Sequence, residues 1–584
     1  MRAVLTGLVI GALLTPSNVY SGLKIGWTFN VSVPAGLIAF AFWTAAERIS
    51  ATPRWDIGEN NINQTAASAA ATIISAGLAA PIPALTLLTG QTLSFYVLSL
   101  WLFVVSLLGI VVAAGLRNQL LLRERLQFPA GVVTAETMQD IHKGGSEAHA
   151  RLRLLGLAAA VSAALKYVVM RFAIVPLAPG LQGAVTTEGG KTIGISATNL
   201  GLALDPSLLM VGFGAIAGLR VGISILIGAV LAWGVLAPYA LSQGWAHAGA
   251  ADSNAVWFGP LVEWLLWPGA TLMVASSLTS FLVSMLVMAL RRRGRRRSGA
   301  ASLEDVATFA DNGISTQTLL AAFLFAMVLL VAAQTAIFSI GFFEAVLAVL
   351  LSYVLAIVAA RVSGETAITP IGALGKITQV AFSAISPGNT TVNLMTANVT
   401  GGAAGHCADL MDDLRTGQII GATASFQIIA QVFGVLVGAL VAALTYLLLI
   451  PDPQAQLITP EWPAPAVATW KAVAEVLGKG IGALPPGAAM AIGVAAVAGV
   501  VLGLMEALAP AGWRRFIPSA SAIGLGFVIP AWNAFSLFLG AAAAAAVAWA
   551  NPEWAKQRVV VIAAGFIVGE SIAGVIGAIA GMAG

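Results

Sequence analysis

The sequence predicts an all-α polytopic membrane protein, and three observations predict it. Of the 584 residues, 59% are hydrophobic and only 9% charged, against roughly 25% charged in ordinary soluble domains. The mean hydropathy is +0.91. Apolar runs recur from end to end and leave no tail large enough for a soluble domain, so at about 20 residues per span they allow roughly 14 to 16 crossings, short re-entrant pieces included.

Taken in order, the first half carries apolar stretches near 28–46, 64–80, 92–116, 152–176, 220–240 and 262–290. The second half carries them near 316–338, 341–360, 388–404, 418–450, 486–510, 531–549 and 556–580. Met1 and Arg2 open a further apolar run with no small-x-small cleavage site before Thr15, which reads as the first half of helix one rather than a signal peptide. The loop 117–153 holds Arg117, Arg123, Arg125, Lys143, Arg151 and Arg153, and residues 291–297 read RRRGRRR. Both are assigned to the cytoplasm by their positive charge, which leaves the 451–485 loop, with Trp462 and Trp470, outside. The arginine run also carries most of the net charge of +4; a short basic loop between helices is a topology signal before it is a nucleic-acid site.

Threonine-proline followed by a lone lysine occurs twice, in TPSNVYSGLKIGW at 15–27 and in TPIGALGKIT at 369–378. This pairing predicts two diverged repeats, 1–290 and 313–584, joined by a basic cytoplasmic loop at 291–312, the boundary lying within 291–340. Gly7 with Gly11, Gly434 with Gly438 and Gly577 with Gly581 have the small-xxx-small spacing of closely packed membrane helices. The GFGAIAG spacing at 212–218 follows no soluble strand and is no dinucleotide fingerprint. One cysteine, Cys407, excludes an internal disulfide and a multi-cysteine metal or redox centre. No GxxxxGK[ST] motif is present, so ATP drive would need a separate subunit. Neither a cofactor nor a metal is expected, and the alanine-, glycine- and arginine-rich composition favours the plasma membrane of a prokaryote.

Broken backbone and buried charge are costly in lipid and persist where other helices or a water-filled path surround them. Paired interruptions are therefore read as a transporter's solute site. They nominate Asn18, Tyr20, Lys24 and Lys376. Each lysine either holds a solute carboxylate or pairs with a structural acid such as Glu59 or Glu365. The cluster GENNINQTAAS at 58–68 adds Asn60, Asn63 and Gln64, whose amides both donate and accept and so suit a peptide-like solute without full charge. Helix capping and interhelical hydrogen bonds explain any one of these residues as well as ligand contact does. In SPGNTTVNLMTANVTGG at 386–402, Asn389 and Asn393 share a helical face at the start of a half-helix whose amides would point into a cavity. These residues are expected to converge on one central cavity.

Glu570, near the centre of the last apolar run with Gly569 and Ser571 beside it, is the candidate for proton coupling, with Glu59 the second. Lys166 or Arg171 could instead be its fixed partner. His406, Asp409 and Asp413 lie at i, i+3 and i+7 and would suit a metal or hydrolase centre, but their place beside Asp412 and Arg415 reads more simply as a solvated helix end.

TPSNVYSGLKIGW, ENNINQTAAS, TPIGALGKITQ, SPGNTTVNLMTANVTGGAAG and DLMDDLRTG together resemble the oligopeptide transporter family, including its yellow stripe-like relatives, in a prokaryotic-type member. The resemblance spans almost the whole chain. It implies about sixteen transmembrane helices in two repeats, and proton-driven import of short peptides or metal chelates. Where the eukaryotic peptide branch carries Asn-Pro-Gly-Pro-Phe, this chain has Ser386, Pro387, Gly388 and Asn389. Ala69 to Thr72 supply no acid after the QTxAS element, where prokaryotic relatives often have one. The reading is a secondary active importer of short oligopeptides or peptide-like metal chelates, working with protons in the bilayer, with no nucleic-acid partner and no oligomeric state implied. Its rivals are a chelate transporter without peptide activity, an intramembrane enzyme using His406 and Asp409, and a passive channel, against which Glu570 argues.

Overall fold

In the computed structural model of the chain all residues are described except 51, 144, 298–314, 367, 368, 481, 483 and 584. The described chain is 78% helical, and among the described residues twelve helices are long and apolar enough to cross a membrane. In chain order come α1 (Arg2–Ile25), α2 (Ser32–Ile49), α3 (Ile57–Ala71), α4 (Pro81–Thr89), α5 (Phe95–Arg117), α6 (Pro129–Lys143) and α7 (Gly145–Arg171). A hairpin follows, β1 (Gln182–Thr186) pairing antiparallel with β2 (Thr192–Ser196). Next are α8 (Leu208–Ala217), α9 (Leu219–Ala229), α10 (Ala237–Ser242), α11 (Phe258–Arg297), α12 (Thr316–Phe338), α13 (Phe342–Thr366), α14 (Ile371–Ile385), α15 (Thr390–Ile420) and α16 (Ala424–Leu449). The last are α17 (Pro453–Gln456), α18 (Pro465–Lys479), α19 (Ala488–Leu508), α20 (Ala511–Arg514), α21 (Ala520–Val528), α22 (Ala531–Ala550) and α23 (Pro552–Ala583).

Four features differ from the sequence reading. First, α1 is not interrupted at 15–27: it runs through Pro16 to Ile25 and stops only at Gly26, whose φ of 74° closes the helix. Proline deletes one donor, but Thr15 Oγ1 donates to Gly11 O at 2.7 Å, and Leu14, Thr15, Ser17 and Asn18 on either side of Pro16 are buried. Packing thus outweighs a loss of about 3 kcal/mol. Second, the arginines at 291–297 continue α11 rather than forming a loop, while the rest of the expected 291–312 connection lies largely outside the described residues. Third, α15 does not end in a solvated charged face. It runs on for 31 residues and buries His406 and Asp413. Fourth, a two-stranded hairpin stands in an otherwise helical chain.

The alanine-rich face of α3 explains the centre of the bundle. Gly7 and Gly11 of α1 meet it on one side, Gly434 and Gly438 of α16 on the other. A methyl placed on Gly7 would lie 2.5 Å from Asn63 O, and one on Gly438 2.5 Å from Ala70 O. Small residues let backbones touch where lipid offers no hydrophobic drive for association.

Candidate functional site

Five helices, α1, α7, α8, α22 and α23, and two loops build a pocket of about 70 Å³. The end of α1 supplies Tyr20 and Lys24, α7 supplies Lys166, α23 supplies Glu570, the loop before α8 supplies Asp205 and Ser207, and Pro460 comes from the segment after α17. Glu570 is 6% exposed. Its Oε1 accepts from Ser207 Oγ at 2.8 Å and its Oε2 from the Leu209 amide at 2.7 Å. Ser207 caps α8 by also accepting from the Met210 amide, so the carboxylate sits at the positive end of a helix. Burial pushes the Asp205 carboxyl above the usual carboxylate range, against the opposing pull of Lys24 and Lys166. The Lys24 ammonium lies 5.6 Å from the Tyr20 ring and 5.1 Å from the Trp462 ring, and those two rings meet edge-on at 5.2 Å. Two amines and two carboxylates thus face one small space, an arrangement complementary to a solute carrying charge of both signs.

Tyr20, Lys24 and Glu570 are the nominated residues that the structure brings together. Lys166 and Asp205 complete the set. The sequence reading already offers Lys166, beside Arg171, as a partner for Glu570; Asp205, the acid of LDPSLL just ahead of a serine cap, carries no sequence signal that it joins them.

The other nominated residues lie elsewhere, which corrects the expectation of one cavity. Asn18 is fully buried and fastens the chain after α1: its Nδ2 donates to Ala71 O at 3.1 Å and its Oδ1 accepts from the Phe29 amide at 3.2 Å. Asn60 Nδ2 meets His142 Nε2 at 3.2 Å. Asn63 Nδ2 donates to Ala35 O at 3.3 Å. Gln64 Nε2 donates to Asp413 Oδ1 at 3.0 Å. Glu59 forms a capping box with Asp56 at the start of α3 and accepts from Arg2 Nε at 2.6 Å; it is tied to the start of α1, at the opposite end of that helix from Tyr20 and Lys24 of the Glu570 pocket. Asn389 is exposed and caps α15 through the Val392 amide. Asn393 Nδ2 donates to Gln379 O at 2.6 Å.

Lys376 stands by itself. It is 4% exposed, its ammonium is 3.8 Å from the centre of the Trp470 ring, and it has no hydrogen-bond partner. The acids considered for it are occupied or exposed: Glu59 bonds Arg2, and Glu365 is exposed. It borders a second cavity, of about 200 Å³, together with Trp27, Met273 and Leu525.

The motif around His406 is buried rather than solvated. Asp409 accepts from Ser68, Thr72 and Gln431, while both ring nitrogens of His406 lack partners. Among the described residues no group of three or more histidine, cysteine or acidic side chains could hold a metal ion.

A family model described as OPT oligopeptide transporter protein matches residues 1–580. YGL114W of Saccharomyces cerevisiae, which carries an oligopeptide-transporter name, is 25% identical over 720 residues, covering 99% of this chain and 95% of the relative. The metal-nicotianamine transporter YSL2 of Arabidopsis thaliana is 23% identical over 625 residues, 98% of this chain and 91% of the relative. The iron-phytosiderophore transporter yellow stripe 1 of Zea mays is 25% identical over 624 residues, 98% of this chain and 89% of the relative. A match running from the first helix to the last shows that this chain belongs to the OPT oligopeptide transporter family, a membrane transporter and not an enzyme.

Proposed function

We propose that this protein is a secondary active importer that couples protons to the uptake of short oligopeptides or peptide-like metal chelates, in the plasma membrane of a prokaryote. One observation carries the reading: Lys24 and Lys166 face Asp205 and Glu570 in a pocket walled by α1, α7, α8, α22 and α23. Charges of both signs at one intramembrane site mark a solute path more readily than a structural core. A zwitterionic solute would exchange partners with these groups, its ammonium taking the carboxylates and its carboxylate the amines. Glu570 is the coupling group, because a carboxylate released from a lysine when solute takes that lysine can load a proton.

A second reading, import of metal chelates without peptide activity, draws on the names of the plant relatives. Uptake into proteoliposomes under an imposed pH gradient separates the two. A tripeptide should enter faster than the same peptide acetylated at its amine or amidated at its carboxyl, and a protonophore should abolish the difference. Uptake of iron or copper chelates alone would leave the second reading, and uptake indifferent to the pH gradient would remove the proton.

A further inference from the structure

The cavity beside Lys376 lies apart from the mixed-charge pocket, and its chemistry is different. Lys376 is its one charged lining residue. Around it stand Trp27 at the end of α1, Met273 of α11, Pro465 and Trp470 of α18, and Leu525 of α21. Several charged groups on neighbouring helices are engaged elsewhere. On α18, Lys471 and Lys479 both pair with Glu475, at 3.1 and 3.5 Å; on α13, Arg361 donates to Glu124 Oε1 at 2.7 Å and Glu344 accepts from Ser386 Oγ. An ammonium without a carboxylate inside a membrane bundle is costly, and the ring face of Trp470 compensates only in part.

The same cavity touches the first turn of α14 at Gly372, where an added Cβ would meet nothing within 4 Å. The positive end of that helix therefore borders the space that Lys376 enters. Both features attract the same kind of group. The apolar rings and aliphatic chains around them favour a ligand whose charge is attached to an apolar body over a small hydrated anion.

We propose that the cavity beside Lys376 is a second ligand site, one that takes a carboxylate carried on an apolar side chain or peptide end. This deepens the transport reading above, on which its role in uptake rests, by naming the solute group the second pocket holds. Ile25 to Trp27 with Pro465, Ala466, Thr469 and Trp470 wall this cavity, while Tyr20, Lys24 and Pro460 wall the other. The two sites thus flank the end of α1, where Ala464 N donates to Leu23 O at 2.9 Å.

The test is a binding measurement that needs no transport. N-acetyl-leucine, its amide and sodium phosphate are titrated into the purified full chain, and thermal protection is read. N-acetyl-leucine should protect the wild type, and the amide and phosphate should not. Lys376→Met should weaken that protection by about tenfold or more, whereas Lys471→Met, which alters the partly buried pair with Glu475, should leave it intact. In the wild type, N-acetyl-leucine should also shield Lys376 from an amine-modifying reagent, read by mass spectrometry; this arm stands even if the variant fails to fold. Equal protection by the amide, no shielding of Lys376, or phosphate protecting as well as the organic acid would each overturn the proposal. Intact binding with no peptide or chelate uptake in the proteoliposome assay would sink the transport reading and leave this site standing.

Discussion

Lys24 and Lys376 each follow a threonine-proline pair, and each ends beside a tryptophan from the same segment of chain, Trp462 for the first and Trp470 for the second. There the likeness stops. Lys24 shares its pocket with Asp205 and Glu570; Lys376 has no ionic or hydrogen-bond partner. One is part of a balanced set of charges, the other an unbalanced charge held by an aromatic face. A buried lysine is informative through its company, and that company comes from segments far away along the chain.

The sharpest way to break the comparison is to remove titration from one pocket only. Glu570→Gln keeps shape and cannot load a proton, so proton-driven uptake should fall by about tenfold or more while solute counterflow persists, the separation expected when coupling and not binding is lost. Unchanged pH dependence of uptake in that variant would take Glu570 out of the mechanism. N-acetyl-leucine protection, which reads the other cavity, should not move.

A second contrast uses the glycine on which each aromatic side chain rests. A Cβ on Gly574 would sit 2.6 Å from the Tyr20 ring, and one on Gly375 would sit 2.5 Å from the Trp470 ring. Leucine at either position forces the ring aside, at about 1–3 kcal/mol of overpacking. Gly574→Leu should lower uptake and spare N-acetyl-leucine protection, and Gly375→Leu should abolish that protection. If each variant damages both readouts equally, the two pockets are one site.

Thermal stability should respond with opposite signs. Lys24→Met leaves two carboxylates facing one amine and should lower the midpoint of unfolding in detergent by about 2–5 °C. Lys376→Met removes an unpaired buried charge and should raise the midpoint by a similar or smaller amount, about 1–3 °C. A fall in both would mean that Trp470 and its surroundings stabilise the ammonium fully, and the cavity would then need no ligand carboxylate.

Sequence reasoning reached the family, the helical class and, besides Tyr20, the charged pocket members Lys24, Lys166 and Glu570, because lone charges in apolar runs stand out in one dimension. It misplaced the amides for a physical reason. Asn18, Asn60, Asn63, Gln64 and Asn393 satisfy buried backbone carbonyls and neighbouring side chains, and an amide that fastens two helices looks the same in sequence as one that binds a peptide. It misread the break in α1 because a proline's cost can be met by tertiary packing that no local window contains. It took HCADLMDD for a solvated end because the glutamines and hydroxyls that receive those acids, on α3 and α16, are invisible until the helices pack.

The smallest effect belongs to the amide cluster, and it tests whether that cluster is a separate structural body. His142 lies on α6, outside the twelve membrane-crossing helices. Its ring meets Phe40 edge-on at 4.8 Å and its Nε2 meets Asn60. Burial, the largest influence, holds this imidazole below the usual histidine range, with Asp56 pulling the other way. The unfolded chain therefore binds a proton here more readily than the folded one. Stability from this residue is present in full above about pH 6.5, the unfolded value, and is lost as pH falls toward the lower folded value. The ring is partly solvated, so the change should be slight. His142→Gln should flatten the dependence of the unfolding midpoint between about pH 7 and pH 5 and leave uptake at pH 7 unaltered. If that substitution instead weakens solute affinity, the Asn60 cluster belongs to the solute path after all, and the separation between polar fasteners and charged pockets fails.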